Sequence, residues 1–93
     1  MSADTHYRFR IYVAGDGPHS AQALANLRTI CADYLPERHE VEVVDVLREP
    51  QRALADGVML TPLLVKLSPA PMRRIVGTLS QREFALQTLG LST

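Results

Sequence analysis

Apolar and polar positions alternate from Tyr7 to Val13. Tyr7, Phe9, Ile11 and Val13 fall on one side and Arg8, Arg10 and Tyr12 on the other, the pattern of a strand with one buried and one wetter face. Past the loop Ala14-Gly15-Asp16-Gly17-Pro18-His19-Ser20 the spacing changes. Leu24, Leu27, Cys31 and Tyr34 recur at three- and four-residue steps with Ala23 and Ile30 beside them, while Gln22, Asn26, Arg28 and Asp33 take the opposite side. This predicts an amphipathic helix, opened by Ser20 as N-cap and stopped before Pro36. The run Val41-Glu42-Val43-Val44-Asp45-Val46-Leu47 carries β-branched residues on both faces, which predicts a central strand covered on each side. Residues 7–47 therefore read as a βαβ unit with a right-handed crossover.

Pro50 suits the first turn of a short helix through Gln51-Arg52-Ala53-Leu54-Ala55, ended by Asp56-Gly57. Leu63 to Leu67 reads as a third strand, Pro69-Ala70-Pro71 as a stiff turn and Met72 to Val76 as a fourth strand ending at Gly77, the last two pairing as a hairpin. Ser80 and Glu83 have capping-box spacing, with Leu79 and Phe84 placed for a hydrophobic staple, so a final helix is predicted from Gln81 to about Leu89. The order is βαβαββα, an α/β fold.

Composition narrows the class. Ninety-three residues, 46% hydrophobic, suffice for one compact domain spanning 1–93. Ten Lys+Arg balance ten Asp+Glu, so no long-range field gathers nucleic acid or anionic lipid. Residues 1–6 read as a polar, disordered tail without the apolar core of a secretory signal, and no run is long and apolar enough for a membrane span; a cytoplasmic location is expected. The single cysteine, Cys31, excludes an internal disulfide or a two-cysteine exchange centre.

Thr61-Pro62, directly ahead of the third strand, is the mark of a thioredoxin-like sheet, in which a cis-proline stands beside the functional loop. That loop holds no cysteine, and Cys31 lies on the apolar side of its helix, so dithiol chemistry is excluded. A thiol- or glutathione-handling enzyme remains open, since Ser20 at the helix start or Tyr12 at the strand end can stabilise a bound thiolate. For Ser20 the alternative is a plain helix cap. His6, His19 and His39 are scattered and predict no metal site, and Asp16 between glycines reads as a turn former. Arg73-Arg74 is either an exposed pair on a strand or a contact for an acidic protein surface.

The ordered set Tyr12-Val13-Ala14-Gly15 with Pro18 and Ser20, Ala23-Leu24, Leu27, Val44-Asp45-Val46-Leu47 with Pro50, Leu60-Thr61-Pro62-Leu63, Pro69, Pro71, Arg73-Arg74-Ile75, Gly77, Leu79-Ser80 and Arg82-Glu83 resembles the KaiB proteins of the bacterial circadian clock, over about residues 7 to 89. The resemblance implies a non-enzymatic regulator without cofactor or metal. It binds the N-terminal ATPase ring of KaiC, a clock ATPase and autokinase, and acts on its phosphorylation cycle. KaiA or a sensor histidine kinase are further implied partners, and homo-oligomers are common.

The resemblance also implies fold switching between the thioredoxin-like form and a resting form that keeps the βαβ half and rebuilds residues 48–91. That resting form is the alternative fold. The expected partner-binding residues are Arg73, Arg74, Gly77, Thr78 and Leu79; the expected switch residues are Pro62, Pro69, Pro71, Gly77, Thr88 and Gly90. The chain departs from the family pattern at several places, among them Gly77-Thr78-Leu79-Ser80, where the family usually reads Gly-Asp-Leu-Ser, and the acidic tail common in the family, which is missing. Thr88-Leu89-Gly90-Leu91 stands where the family reads Gly-Leu-Asp-Leu, which favours a helix with a glycine C-cap and hence the thioredoxin-like form at rest. Glu42 and Gly57 stand where lysines are common on the KaiC-facing surface. A paralogue with another protein partner is the remaining alternative.

Overall fold

A computed structural model describes residues 5–92. Of the expected tail, residues 1–4 lie outside the described residues, and Thr5 and His6 have no regular secondary structure. The elements follow the predicted order: β1 (Tyr7–Val13), α1 (Pro18–Tyr34), β2 (His39–Asp45), α2 (Pro50–Ala55), β3 (Leu63–Ser68), β4 (Arg73–Val76) and α3 (Arg82–Leu89). The sheet order is β2-β1-β3-β4. β1 runs parallel to β2, with Tyr7 opposite His39 and Val13 opposite Asp45, and antiparallel to β3; β3 and β4 form the expected hairpin, Leu63 facing Val76 and Lys66 facing Arg73.

Two apolar clusters sandwich this sheet. Tyr7, Phe9, Ile11 and Val13 meet Ala23, Leu27, Ile30 and Cys31 of α1 and Ala85, Leu86 and Leu89 of α3. Tyr12, Val44, Leu63 and Val65 form a smaller cluster on the other face. β1 is one of the two inner strands, and its second face is drier than expected: Tyr12 is buried. β2, expected as a central strand over 41–47, starts at His39, ends at Asp45 and lies at the sheet edge with Val43 43% exposed. Its β-branched run reports a preference for extended backbone, which an edge strand satisfies as well as a central one.

Both side-chain caps read from the sequence are absent. Pro18 has a φ suited to the first helical turn, so α1 begins two residues before Ser20, with Gly17 at the N-cap and no side-chain cap bond. α3 begins at Arg82 after Gln81, again without a side-chain cap bond; Leu79 turns into the core and Phe84 is 57% exposed, so no staple forms. Tyr34, placed with the apolar side of α1, is exposed and lies under the Arg82 guanidinium at 5.5 Å from the ring centre, where Arg82 also pairs with Asp33. The C-terminal expectation matches the structure: Thr88 is helical and Gly90 caps α3 in the left-handed conformation, φ 78°.

Candidate functional site

The loop between β1 and α1, where a thioredoxin-like fold carries its chemistry, is held here by one carboxylate and one hydroxyl. Asp45 Oδ1 accepts the N–H groups of Gly15 (3.1 Å) and Leu47 (2.9 Å), and those two backbone bonds hold its carboxyl below the usual range. Gly15 has φ 62°, and a Cβ there would meet Leu47 Cδ1 at 3.3 Å. Asp45 thus ties the end of β2 to the loop, a role the sequence reading did not give it. Its signal was present: a lone acid closing a β-branched run, opposite a glycine turn.

The two hydroxyls considered for thiolate chemistry do not meet. Ser20 belongs to α1 and is 5% exposed, its Oγ accepting the Ala14 N–H at 3.1 Å. Tyr12 lies on the other face of the sheet, in the smaller cluster, and its hydroxyl donates to Asp56 Oδ2 at 2.7 Å. Burial, and then the Asp56 carboxylate, push the Tyr12 phenol above its ordinary pKa, away from a role as phenolate. Burial likewise pushes the Cys31 thiol up to about 11. Among the described residues no three His, Cys, Asp or Glu side chains are placed to hold a metal ion.

Asp56 belongs to an ion-pair network across β1, β2 and α2. Glu42 receives Arg10 Nε at 2.7 Å and Arg52 Nη2 at 2.8 Å, while Asp56 Oδ2 lies 3.9 Å from Arg10 and 3.8 Å from Arg52. The Arg10 hydrogen bond, then that of Arg52, lowers the Glu42 carboxyl. Glu42 is thus part of the framework holding α2 to the sheet.

The proline-rich half forms the opposite edge. Thr61-Pro62, Ser68-Pro69 and Ala70-Pro71 are all cis, so Pro62 has the isomer expected of a thioredoxin-like sheet. Pro62 is buried and its carbonyl accepts the Gly77 N–H at 2.9 Å, which joins the start of β3 to the end of β4. From Gly77, at φ 115°, the chain crosses toward α3 as a strap fastened to α1: Asn26 Nδ2 donates to the Thr78 carbonyl at 2.8 Å and Gln22 Nε2 to Ser80 Oγ at 3.1 Å. Leu79, at φ 62°, points into the core.

Of the expected contact residues, Gly77 and Thr78 are half-buried and Arg73 and Arg74 exposed, while the Leu79 side chain is 6% exposed and not available to a partner in this fold. Arg73 and Arg74 do not form one basic patch. Consecutive strand residues point to opposite faces: Arg74 reaches the α2 side, where Nη2 donates to the Asp56 carbonyl at 3.1 Å, and Arg73 faces the α3 side with Ile75. Exposed Val76 and Phe84 border an open cleft of about 350 Å³ along the 77–81 strap.

The sequence reading missed a second surface. Leu47, Leu54, Met59 and Leu60 are 70%, 82%, 91% and 64% exposed. Leu54 and Met59 line an open cleft of about 330 Å³ with Val46, Pro50, Ala53, Val58 and Thr61, beside the cis-proline. Leu54 lies in α2 and Met59 and Leu60 in the loop before β3, so no single periodicity flags them together. Large apolar side chains left this exposed on a small protein mark a contact surface rather than a core.

Comparison with known proteins places this architecture. Residues 10–91 match the family model described as KaiB domain. Circadian clock protein KaiB3 of Synechocystis sp. (strain ATCC 27184 / PCC 6803 / Kazusa) is 44% identical over 82 residues, 88% of this chain and 78% of the relative. Circadian clock oscillator protein KaiB of Prochlorococcus marinus (strain MIT 9313) is 44% identical over 91 residues, 98% of this chain and 76% of the relative. Among solved structures, the N-terminal domain of Synechococcus elongatus SasA superposes with a TM-score of 0.72 at 20% identity, covering 94% of this chain and 83% of that one. The Deadhead thioredoxin of Drosophila melanogaster does so at 0.71 and 14%, covering 97% and 85%. These two likenesses establish a thioredoxin-like fold.

Proposed function

The chain belongs to the KaiB family, and from that premise we propose that it is a non-enzymatic clock regulator that binds a KaiC-type ATPase ring and modulates its phosphorylation cycle while resting in the thioredoxin-like fold. The observation that carries the reading is the exposed apolar group Leu47, Leu54, Met59 and Leu60. Leaving four such side chains in water is unfavourable by roughly 25 cal/mol per Å² of apolar surface, and a protein partner removes that cost. The burial of both hydroxyls, Ser20 accepting the Ala14 N–H and Tyr12 donating to Asp56, supports a binding role over thiol chemistry.

In this reading Arg74 borders the apolar group from the α2 side, Arg73, Gly77 and Thr78 add polar contacts along the β4 edge and the strap, and Leu79 holds that strap in place. Pro62, Pro69, Pro71, Thr88 and Gly90 belong to the segment whose rebuilding defines the family's other fold. The glycine-capped α3 favours the form described here. KaiA, a sensor histidine kinase and a second copy of this chain are further partners under the same reading. A cytoplasmic site of action is part of the same reading; no helix among the described residues is long and apolar enough to cross a membrane.

The test is binding to an ATP-loaded KaiC-type ring, read by size-exclusion chromatography and by the ring's phosphorylation over time. Leu54→Asp and Met59→Asp, both at exposed positions, are expected to weaken binding about tenfold or more, since central apolar contacts dominate interfaces, with unchanged circular dichroism. No complex with the ring, or saturable glutathione binding that Ser20→Ala abolishes, would overturn the proposal.

A further inference from the structure

Lys66, the single lysine of the sequence, is only 3% exposed, and no carboxylate among the described residues meets it. Its ammonium makes one long hydrogen bond, to the Leu89 carbonyl at 3.4 Å, and lies 5.6 Å from the centre of the Tyr7 ring. An ammonium has three donors, so one marginal bond leaves capacity unused. Directly across the hairpin stands Arg73. Facing residues of an antiparallel pair share one side of the sheet with their Cβ atoms about 5 Å apart, and like charges so placed repel. Arg73 has no acidic partner among the described residues, and its charge together with burial drives the Lys66 amine below its ordinary pKa, burial being the larger cause.

Both cations line one opening of about 420 Å³, walled by Ala70 and Pro71 of the hairpin turn and by Gln87, Thr88 and Gly90 at the end of α3. The Leu89 carbonyl accounts for part of Lys66, as a helix C-terminus attracts a cation. It does not account for a second positive charge opposite the first. We propose that this cleft is a binding site for a small oxyanion, a carboxylate or a phosphate, held between the Lys66 ammonium and the Arg73 guanidinium, with the Gln87 amide and Thr88 hydroxyl at its rim. A flat two-pronged donor beside a point charge suits either group.

The site does not rest on the partner reading and is tested on the isolated protein. Inorganic phosphate and, separately, sodium acetate are titrated into labelled protein at constant ionic strength, with the backbone amide shifts of Arg73, Gln87, Thr88 and Gly90 followed. Saturable shifts confined to these residues are expected from at least one anion, and the one that gives them identifies the source. Arg73→Gln, at an exposed position, is expected to weaken the binding about tenfold or more, as for loss of a charge-assisted contact. Arg48→Gln, at an exposed position outside the cleft, leaves it unchanged. Shifts that fail to saturate, that spread over the surface, or that persist equally in Arg73→Gln overturn the site.

Discussion

Leu79 sets two opposing energies against each other, and two substitutions separate them. Its φ of 62° lies in the left-handed region, which disfavours a residue bearing a Cβ by about 1 to 2 kcal/mol. Its side chain is 6% exposed against Ile75, Ala85 and their neighbours, and burying a leucine contributes about 1.5 to 3 kcal/mol. Leu79→Ala removes the packing and keeps the backbone cost. Because Leu79 borders the open 350 Å³ cleft, the vacated space is reached by water, and the loss falls near the low end of the buried Leu→Ala range, about 2 to 3 kcal/mol. Leu79→Gly loses one methyl more but releases the backbone, which outweighs the greater freedom of glycine in the unfolded chain. The glycine variant is therefore expected to be about 0.5 to 1 kcal/mol more stable than the alanine variant, reversing the usual order. Urea unfolding followed by circular dichroism measures this as a midpoint difference of roughly 0.5 M at equal slope. A glycine variant less stable than the alanine variant by about 0.5 kcal/mol or more, the order expected at negative φ, would refute the argument.

Three further outcomes are expected. Glu42 and Asp45 titrate below their ordinary values in the fold, so each contributes stability that is full above the unfolded carboxylate pKa and is lost as pH falls through the lower folded value; thermal melts from neutral to acid pH should decline in that window, and Glu42→Gln should flatten part of the decline. Tyr12→Phe removes the 2.7 Å bond to Asp56, which keeps its arginine neighbours, and should cost about 1.5 kcal/mol in urea unfolding; a loss under about 0.5 kcal/mol would mean that water replaces the hydroxyl. Cys31, buried with its thiol pushed up to about 11, should react with a neutral disulfide reagent at pH 7 at least about a hundredfold more slowly than free cysteine, and equal rates would show the α1 core to be open.

Element order was legible because it rests on period and on punctuation by proline and glycine. The run from Tyr7 to Val13, the apolar side of α1, the hairpin around Pro69-Ala70-Pro71 and the glycine cap at Gly90 all carry local signals that tertiary structure leaves in place. What was not legible depends on competition between local options. Ser20 and Ser80 each have an N-cap's sequence context, but in one case Pro18 starts the helix earlier and in the other Gln22 and Thr78 offer the hydroxyl different partners. The edge position of β2 follows from both β2 and β3 pairing with β1, which no property of residues 41–47 encodes. At the candidate contact surface the sequence pointed to Arg73-Arg74 as a pair, whereas alternation along β4 sends them to opposite faces. The apolar group at Leu54, Met59 and Leu60 lacks a periodic signature, because exposure there reflects a missing neighbour rather than a polar residue.

The sheet ends in two unlike borders, and this governs how copies of the molecule meet. β2 presents Glu40 and Glu42, and β4 presents Arg73 on one face and Arg74 on the other. A head-to-tail run of sheets, each acidic border on the next basic one, is the open-ended assembly such a layout invites, because a contact between two different borders never closes on itself. Arg8 and Arg10 of the neighbouring strand, with Arg52 of α2, already engage those glutamates within each molecule. A second copy's β4 therefore meets a border whose charge is neutralised. The zero net charge of the chain conceals this asymmetry: one margin is internally balanced, and the other keeps its positive charge available to partners of a different kind.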